Sequence, residues 1–202
     1  MSQRGHTPPV PVLLALGSNL GDRRRHLELG LDFLSRRLRV RAISRVVESA
    51  PWGPVEQPHF LNLVLRAETR LAPLSLLNIL QAAEAAAGRV RAVPQGPRTL
   101  DVDLIFYGSR TVESPRLVIP HPAWRERPFV HDLVAEVAGD MVEPSSGRLL
   151  RNVTGSHGLS DSLREVEPLE SSRWLEPMDS EAPQAHEAAT AASARQGGGS
   201  SC

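Results

Sequence analysis

The chain reads as an α+β fold, an antiparallel sheet with helices on one face, because its apolar residues change period in a definite order. Two segments repeat leucines at helical spacing, four carry short apolar or alternating runs, and these follow one another as β-α-β-β-α-β. Turns rich in Gly, Pro, Asn and Asp separate them.

The first strand is Val10 to Leu16, an apolar run followed by Gly17-Ser18-Asn19-Leu20-Gly21-Asp22, a turn that supplies helix-capping side chains. Leu27, Leu31, Leu34 and Leu38 then define a helix from about Arg23 to Leu38, and Leu29 and Phe33, off that stripe, widen its covered surface. Val40 to Ser49 and Phe60 to Thr69 alternate as two strands around the Pro- and Gly-rich loop Ala50 to Pro58. Leu74, Leu77, Leu80 and an alanine run set a second helix over Pro73 to Gly88, and Leu100 to Tyr107 forms the fourth strand. Phe129 to Ala138 adds a further helix toward the C-terminus. The order is that of the ferredoxin-like fold, in which four antiparallel strands carry two helices on one face.

Its 202 residues, 41% of them hydrophobic, suffice for one core of ordinary size. Acidic and basic residues balance at 23 each, so whole-molecule charge gives no attraction to nucleic acid or a membrane surface. All the basic residues are arginines. The lack of lysine excludes a P-loop lysine, a protein-kinase strand lysine and Schiff-base chemistry, and leaves every phosphate to arginine. The single cysteine, Cys202, excludes a disulfide framework and a cysteine zinc site. The N-terminus has no apolar signal core and Val10 to Leu16 is too short to span a bilayer, so a cytoplasmic protein is expected; a monomer is expected as well. Residues 1–9 read as a disordered N-terminus and 10–155 as the catalytic domain. After about Gly155 the composition turns to Ser, Glu, Ala, Pro and Gly, and 156–202 read as a mostly disordered tail. Within it, Leu163 to Leu169 and Trp174-Leu175 are the stretches able to form transient helix or dock on the domain.

Asp101 and Asp103 lie one residue apart in an otherwise apolar strand. At roughly 3.3 Å per residue, alternation puts both on one face about 6.6 Å apart, with Val102 and Leu104 on the other. Their repulsion at that spacing is about 2–3 kcal/mol for an effective dielectric near 20, a cost that bound divalent cations turn into attraction. Mg²⁺ takes such oxygen ligands and shares them with substrate phosphates. The plainer reading is a solvated edge-strand face. Against it stands Arg98, which follows the Gly96-Pro97 turn and brings a guanidinium to the carboxylate side, suited to bidentate phosphate contact.

Four separated motifs, Leu14 to Asp22, Gln57-Pro58-His59-Phe60-Leu61-Asn62, Gly96 to Asp103 and Ile119-Pro120-His121-Pro122, together resemble the 6-hydroxymethyl-7,8-dihydropterin pyrophosphokinases of folate synthesis over roughly residues 10–150. The resemblance implies transfer of the β,γ-pyrophosphoryl group of ATP to the pterin hydroxymethyl, with AMP released and two Mg²⁺ ions bound. It implies small-molecule substrates, ATP and the hydroxymethylpterin, and neither nucleic acid nor membrane as partner. Asp101 and Asp103 would hold the metals, while Arg89, Arg91 and Arg98 would clamp the triphosphate and stabilise charge developing in transfer. Gln81, Glu84, Arg116, His121 and Arg127 match further ATP-facing positions. Phe60 and Phe129 would sandwich the pterin and Asn62 would read its edge, with Ser49, Pro51 and Trp52 completing that side. One departure stands out: Ala92-Val93-Pro94-Gln95 replaces a longer, basic, tryptophan-containing loop of some relatives, so closure over ATP is expected to be slower or differently gated.

Two other classes fit parts of this pattern. A metal-dependent nucleotidyl or glycosyl transferase could use the same Asp pair but would release pyrophosphate or a nucleoside diphosphate. A noncatalytic binding module of the same fold would tolerate loss of both carboxylates.

Overall fold

The computed structural model describes residues 8–51, 56–90, 96–154, 160 and 162–175. Its main sheet runs β5 (Asp101–Tyr107), β1 (Val10–Ser18), β4 (Phe60–Thr69), β3 (Val47–Ser49), β8 (Leu163–Glu165), with β2 (Arg39–Ile43) also paired to β4 and every pairing antiparallel. The four-strand ferredoxin-like frame is the β5-β1-β4-β2/β3 part of this sheet. A separate hairpin joins β6 (Val112–Ser114) to β7 (Leu117–Ile119).

β2 and β3 lie end to end along one edge of β4, where a single strand from Val40 to Ser49 was expected. The break is at Ser44. Its backbone N–H donates to the Val64 carbonyl at 2.9 Å, and its hydroxyl, in place of a backbone carbonyl, accepts the Val64 N–H at 2.9 Å. The side chain keeps the central strand satisfied while the edge changes direction.

The first helix, α1 (Arg23–Ser35), begins where the Asp22 carboxylate accepts the Arg25 N–H at 3.0 Å. It ends three residues before the expected Leu38, which is buried at the entrance to β2. α2 (Pro73–Ala86) starts with proline in its first turn and stops before Gly88, whose φ of +76° is a left-handed exit that suits glycine. These two helices bury Leu27, Leu31, Leu34, Leu76 and Leu80 against Val12, Leu14, Leu16, Leu63 and Leu65.

The opposite face is covered too. Leu13, Ala15, Val64 and Phe106 pack under α3 (Pro128–Ala138) and α4 (Leu150–Thr154), through Val130, Leu133, Val134 and Leu150. The further helix expected near Phe129 therefore makes a third layer, which explains why β1 and β4 are apolar on both sides instead of alternating. No helix among the described residues is long and apolar enough to cross a membrane.

Packed structure continues beyond the boundary expected near residue 155. Leu163 to Glu165 adds β8 to the sheet edge, and a single 3-10 turn, Ser171–Arg173, brings Trp174 into the α1/α2 core layer at 4% exposure. Of the two alternatives considered for this stretch it takes docking on the domain, as strand and turn instead of transient helix, because β3 offers an open edge at that point. The expectations of disorder at residues 1–7 and 176–202 fall outside the described residues.

Behind α3, Glu143 has no exposed surface, yet its carboxylate accepts the Ser145 and Ser146 N–H groups at 3.0 and 2.8 Å and meets Arg125 at 3.1 Å. Burial alone would raise its pKa, but the hydrogen bonds from Ser146 and Ser145 outweigh that and hold it below the ordinary glutamate range. The depressed folded value means that this stability is present above the unfolded pKa of about 4.3 and disappears as pH falls through the folded one. Glu143→Gln is expected to be less stable than wild type in urea titrations at pH 7, with the gap narrowing below about pH 4. Ser44→Ala should cost about 1–3 kcal/mol in the same assay, because it strips the partner from a buried N–H.

Candidate active site

β5 enters the sheet with Asp101 opposite Gly17 and Asp103 opposite Ala15, while Val102 and Leu104 are buried toward the α1/α2 layer. Both carboxylates thus face the α3 side, as alternation requires. Beyond them the register slips by one residue between Leu13 and Leu14, so that Phe106 pairs with Leu13, Leu104 with Leu14, and Ile105 is left extra. The Ile105 carbonyl accepts the His121 N–H at 3.0 Å, which draws His121 to the acidic pair.

A cavity of about 270 Å³ opens over this end of the sheet. Its floor is made of Ala15 and Gly17, and its walls include Asp101, Asp103, Arg98, Phe60, Asn62 and Phe129. A Cβ at Gly17 would lie 3.0 Å from the Asn62 Oδ1 and 3.5 Å from the Phe60 ring, so the small floor is what lets those two side chains lie across it.

At the acidic end each carboxylate is matched to guanidinium groups. Arg89 and Arg98 reach opposite oxygens of Asp101, the latter at 2.9 Å, and Arg127 pairs with Asp103. The His121 Nε2 stands 4.0 Å from Asp103. Burial pushes the Asp101 carboxyl up, but the charges of Arg98 and Arg89 together with their hydrogen bonds overcome it and leave its pKa lowered. Burial lowers the His121 pKa, a shift that Asp103 only partly opposes, which favours the neutral ring. The His121 Nδ1 accepts the Ala123 N–H at 3.2 Å, which leaves the proton on Nε2, facing the carboxylate.

Arg89 is itself fixed. Glu84, 5% exposed on α2, pairs with it and also accepts the Val102 N–H at 3.0 Å, while Arg89 donates to the Leu100 carbonyl at 3.3 Å. Glu84 was expected to face ATP; here it is a buried support for Arg89 and for the start of β5. Asn19 does similar work on the other side. Its N–H donates to the Arg98 carbonyl at 3.1 Å and its Oδ1 accepts the Arg98 backbone N–H at 2.8 Å, and its amide donates to Gln57 and to the Pro58 carbonyl at 2.9 and 3.1 Å.

The other end is aromatic. Arg98 crosses the Phe60 ring at 4.9 Å from its centroid and so joins the two halves of the pocket. The Asn62 amide donates to the Ser49 hydroxyl at 2.9 Å, and Ser49, Pro51 and Phe129 line the same cavity.

Most of the residues singled out in the sequence therefore converge here. Two do not: Gln81 is exposed on α2 outside the cavity lining, and Arg116, on the turn between β6 and β7, donates to Asn78 at 3.0 Å. Trp52, Arg91 and the Ala92–Gln95 loop, with the expectation of altered closure, fall outside the described residues. Ala15, Gly17, Ser162 and Leu163 line the cavity without having been chosen. Gly17 was expected to open the turn after the first strand, so its place inside β1 and the close approach it permits come from the structure alone, and Leu163 was marked only as part of a stretch able to dock on the domain.

The donor set suits hard cations. Two carboxylates share one face, and among the described residues no group of three or more His, Cys, Asp or Glu converges to make an all-protein metal cage. That pattern fits Mg²⁺, which keeps water or substrate phosphate as remaining ligands.

Known proteins resemble this chain in sequence and in fold. Residues 13–139 match the family described as 7,8-dihydro-6-hydroxymethylpterin-pyrophosphokinase. A 2-amino-4-hydroxy-6-hydroxymethyldihydropteridine pyrophosphokinase of Pseudomonas aeruginosa is 42% identical over 140 residues, 68% of this chain and 86% of that protein. The enzyme of the same name from Haemophilus influenzae is 39% identical over 139 residues, 68% of this chain and 87% of its own length. Among solved structures, an HPPK-DHPS in complex with substrates superposes with a TM-score of 0.60 at 12% identity, over 78% of this chain. A Plasmodium falciparum HPPK-DHPS superposes with a TM-score of 0.61 at 13% identity, over 80% of this chain. The chain spans less than half of those two longer proteins, 47% and 48%, and from them only the fold is inferred. Strand register, the paired carboxylates and the sequence match lead to one assignment: the chain belongs to the 7,8-dihydro-6-hydroxymethylpterin-pyrophosphokinase family.

Proposed function

We propose that this pocket carries out the family reaction by a division of labour along its length, phosphate at the Asp101 and Asp103 end and pterin at the Phe60 and Phe129 end. The reaction is transfer of a pyrophosphoryl group to 6-hydroxymethyl-7,8-dihydropterin in folate biosynthesis. ATP donates its β,γ-pyrophosphoryl group. The pterin hydroxymethyl oxygen attacks the β-phosphorus, the bond to the α,β-bridging oxygen breaks, AMP leaves, and the hydroxyl proton passes to a carboxylate or to water.

One observation carries this reading. The two carboxylates lie on a single strand face at the arginine-lined end of a cavity whose other end holds two phenylalanines and Asn62. Asp101 and Asp103 are the residues that would hold Mg²⁺, whose bound charge would neutralise the phosphates and acidify the attacking hydroxyl. Arg89, Arg98 and Arg127, which balance the two carboxylates in this structure, supply five N–H donors each for phosphate oxygens. Because Glu84 holds the Arg89 guanidinium and the Gly96 carbonyl accepts from that of Arg98 before substrate arrives, little reorganisation accompanies charge movement. Phe60 and Phe129 offer flat apolar surface to the pterin, each stack contributing about 0.5–1.5 kcal/mol beyond burial. Asn62, oriented by Ser49, offers its carbonyl oxygen to ring donors.

Incubation with ATP, Mg²⁺ and the reduced hydroxymethylpterin, followed by identification of the nucleotide, decides the reaction class. AMP and a pterin diphosphate are expected, and release of ADP or free pyrophosphate would overturn the proposal. Asp103→Ala should lower kcat by at least about 100-fold with little change in pterin affinity, and chelation of Mg²⁺ should abolish turnover of the wild type. Asn62→Ala should instead raise the KM for pterin by about 10-fold and leave the KM for ATP near its original value, as steady-state kinetics would show.

A further inference from the structure

The segment after residue 160 wraps the edge of the sheet from one face to the other. On the α3 side, Ser160 N–H donates to Asp132 at 2.8 Å, and Leu163 packs on the α3 core layer. Arg45 ties β8 to α3 by reaching Glu136 at 2.8 Å and Glu165 at 3.2 Å. On the α1 side, Arg24 donates to the carbonyls of Glu167 and Pro168 at 2.9 and 2.6 Å, Leu169 and Trp174 join the core, and the Trp174 indole donates to Asp32 at 2.7 Å. Between these anchors Ser162 and Leu163 line the substrate cavity.

The register shows which end of the cavity they border. Leu163 lies directly opposite Ser49, the residue that orients Asn62, and Ser49 in turn lies opposite Phe60. Paired residues share a face, so the Leu163 side chain sits beside the Asn62 end. The acidic pair on β5 is four strands away, roughly 19 Å at about 4.8 Å per strand. Leu163 therefore adds apolar wall to the ring slot and none to the phosphate end. It also lies beyond residues 13–139, which the family match covers.

We propose that this C-terminal strap is part of the pterin site, and that Leu163 is a determinant of pterin affinity and selectivity, held in place by the docking of Trp174. The inference rests on the assignment of the Phe60 and Asn62 end to the pterin. Loss of the leucine would open the slot to water and remove packing area from the ring.

The test uses full-length protein and equilibrium binding of the hydroxymethylpterin by calorimetry, alongside steady-state kinetics and the thermal midpoint. Leu163→Ala is expected to weaken pterin binding and raise its KM by about 3–10-fold, with the KM for ATP unchanged; Leu163→Met should restore most of the affinity. Trp174→Phe, outside the cavity, should shift the thermal midpoint first and move pterin affinity in the same direction as Leu163→Ala. If Leu163→Ala binds pterin within twofold of wild type while Asn62→Ala binds it poorly, the strap is only a structural brace and the inference is overturned. If both variants bind pterin as wild type does, the assignment of this end of the pocket fails and the inference falls with it. An equal loss of pterin and ATP affinity in Leu163→Ala would also overturn it, since a general loosening of the fold would then be the cause.

Discussion

The antiparallel seating of β5 on β1 is the constraint on which the site depends. It lays Asp101 against Gly17 and Asp103 against Ala15, two positions with almost no side chain, and thereby leaves space above a pair of like charges. Such a pair is costly to bury, and the cost is met by guanidinium groups on both sides of it. The resulting cluster is a poor way to gain stability, because well-packed hydrophobic residues would do as much. It is a way to hold two carboxylates and several arginines at one spot, the arrangement on which the proposed phosphate end of the pocket rests.

That cluster is held from three directions, each by a buried polar link to the scaffold. From α2, Glu84 fixes Arg89 and the first N–H of the β5 interior. From the end of β1, Asn19 fixes Arg98 and the loop leading to Phe60. From the bulge in β5, the extra carbonyl of Ile105 fixes His121. These supports lie on regular elements or near their ends, so the geometry they fix follows from the packing of the sheet.

The second helical layer gives the pocket its depth. Because α3 covers the sheet only from Pro128 onward, with Arg127 and Phe129 at its start, the helix places one charged and one aromatic side chain at the rim where its cover ends. The strap closes the opposite rim from the other edge of the sheet. The chain thus builds this cavity between two late elements that both pack on the same sheet, which ties the cavity lining to the stability of the C-terminal part of the chain.

From the sequence alone, the order of elements, the shared face of Asp101 and Asp103 and the apolar stripe of α1 were legible, since each depends on periodicity within a few residues. Motifs far apart in the chain also pointed correctly to the family. Tertiary structure alone decided the rest. The interruption at Ser44 depends on a hydroxyl meeting Val64 twenty residues away, and the burial of Glu84 depends on where β5 docks beside α2. Gln81 and Glu84 look alike on a helix, yet three residues of rotation leave them about 60° apart around the axis, enough to send the first to solvent and the second into the core. Leu163 sits in a segment whose polar, proline-bearing composition resembles a solvated tail, and only the free edge of β3 makes it a strand. Composition reports what a segment can bury by itself; it carries no information about an edge supplied by residues more than a hundred positions earlier.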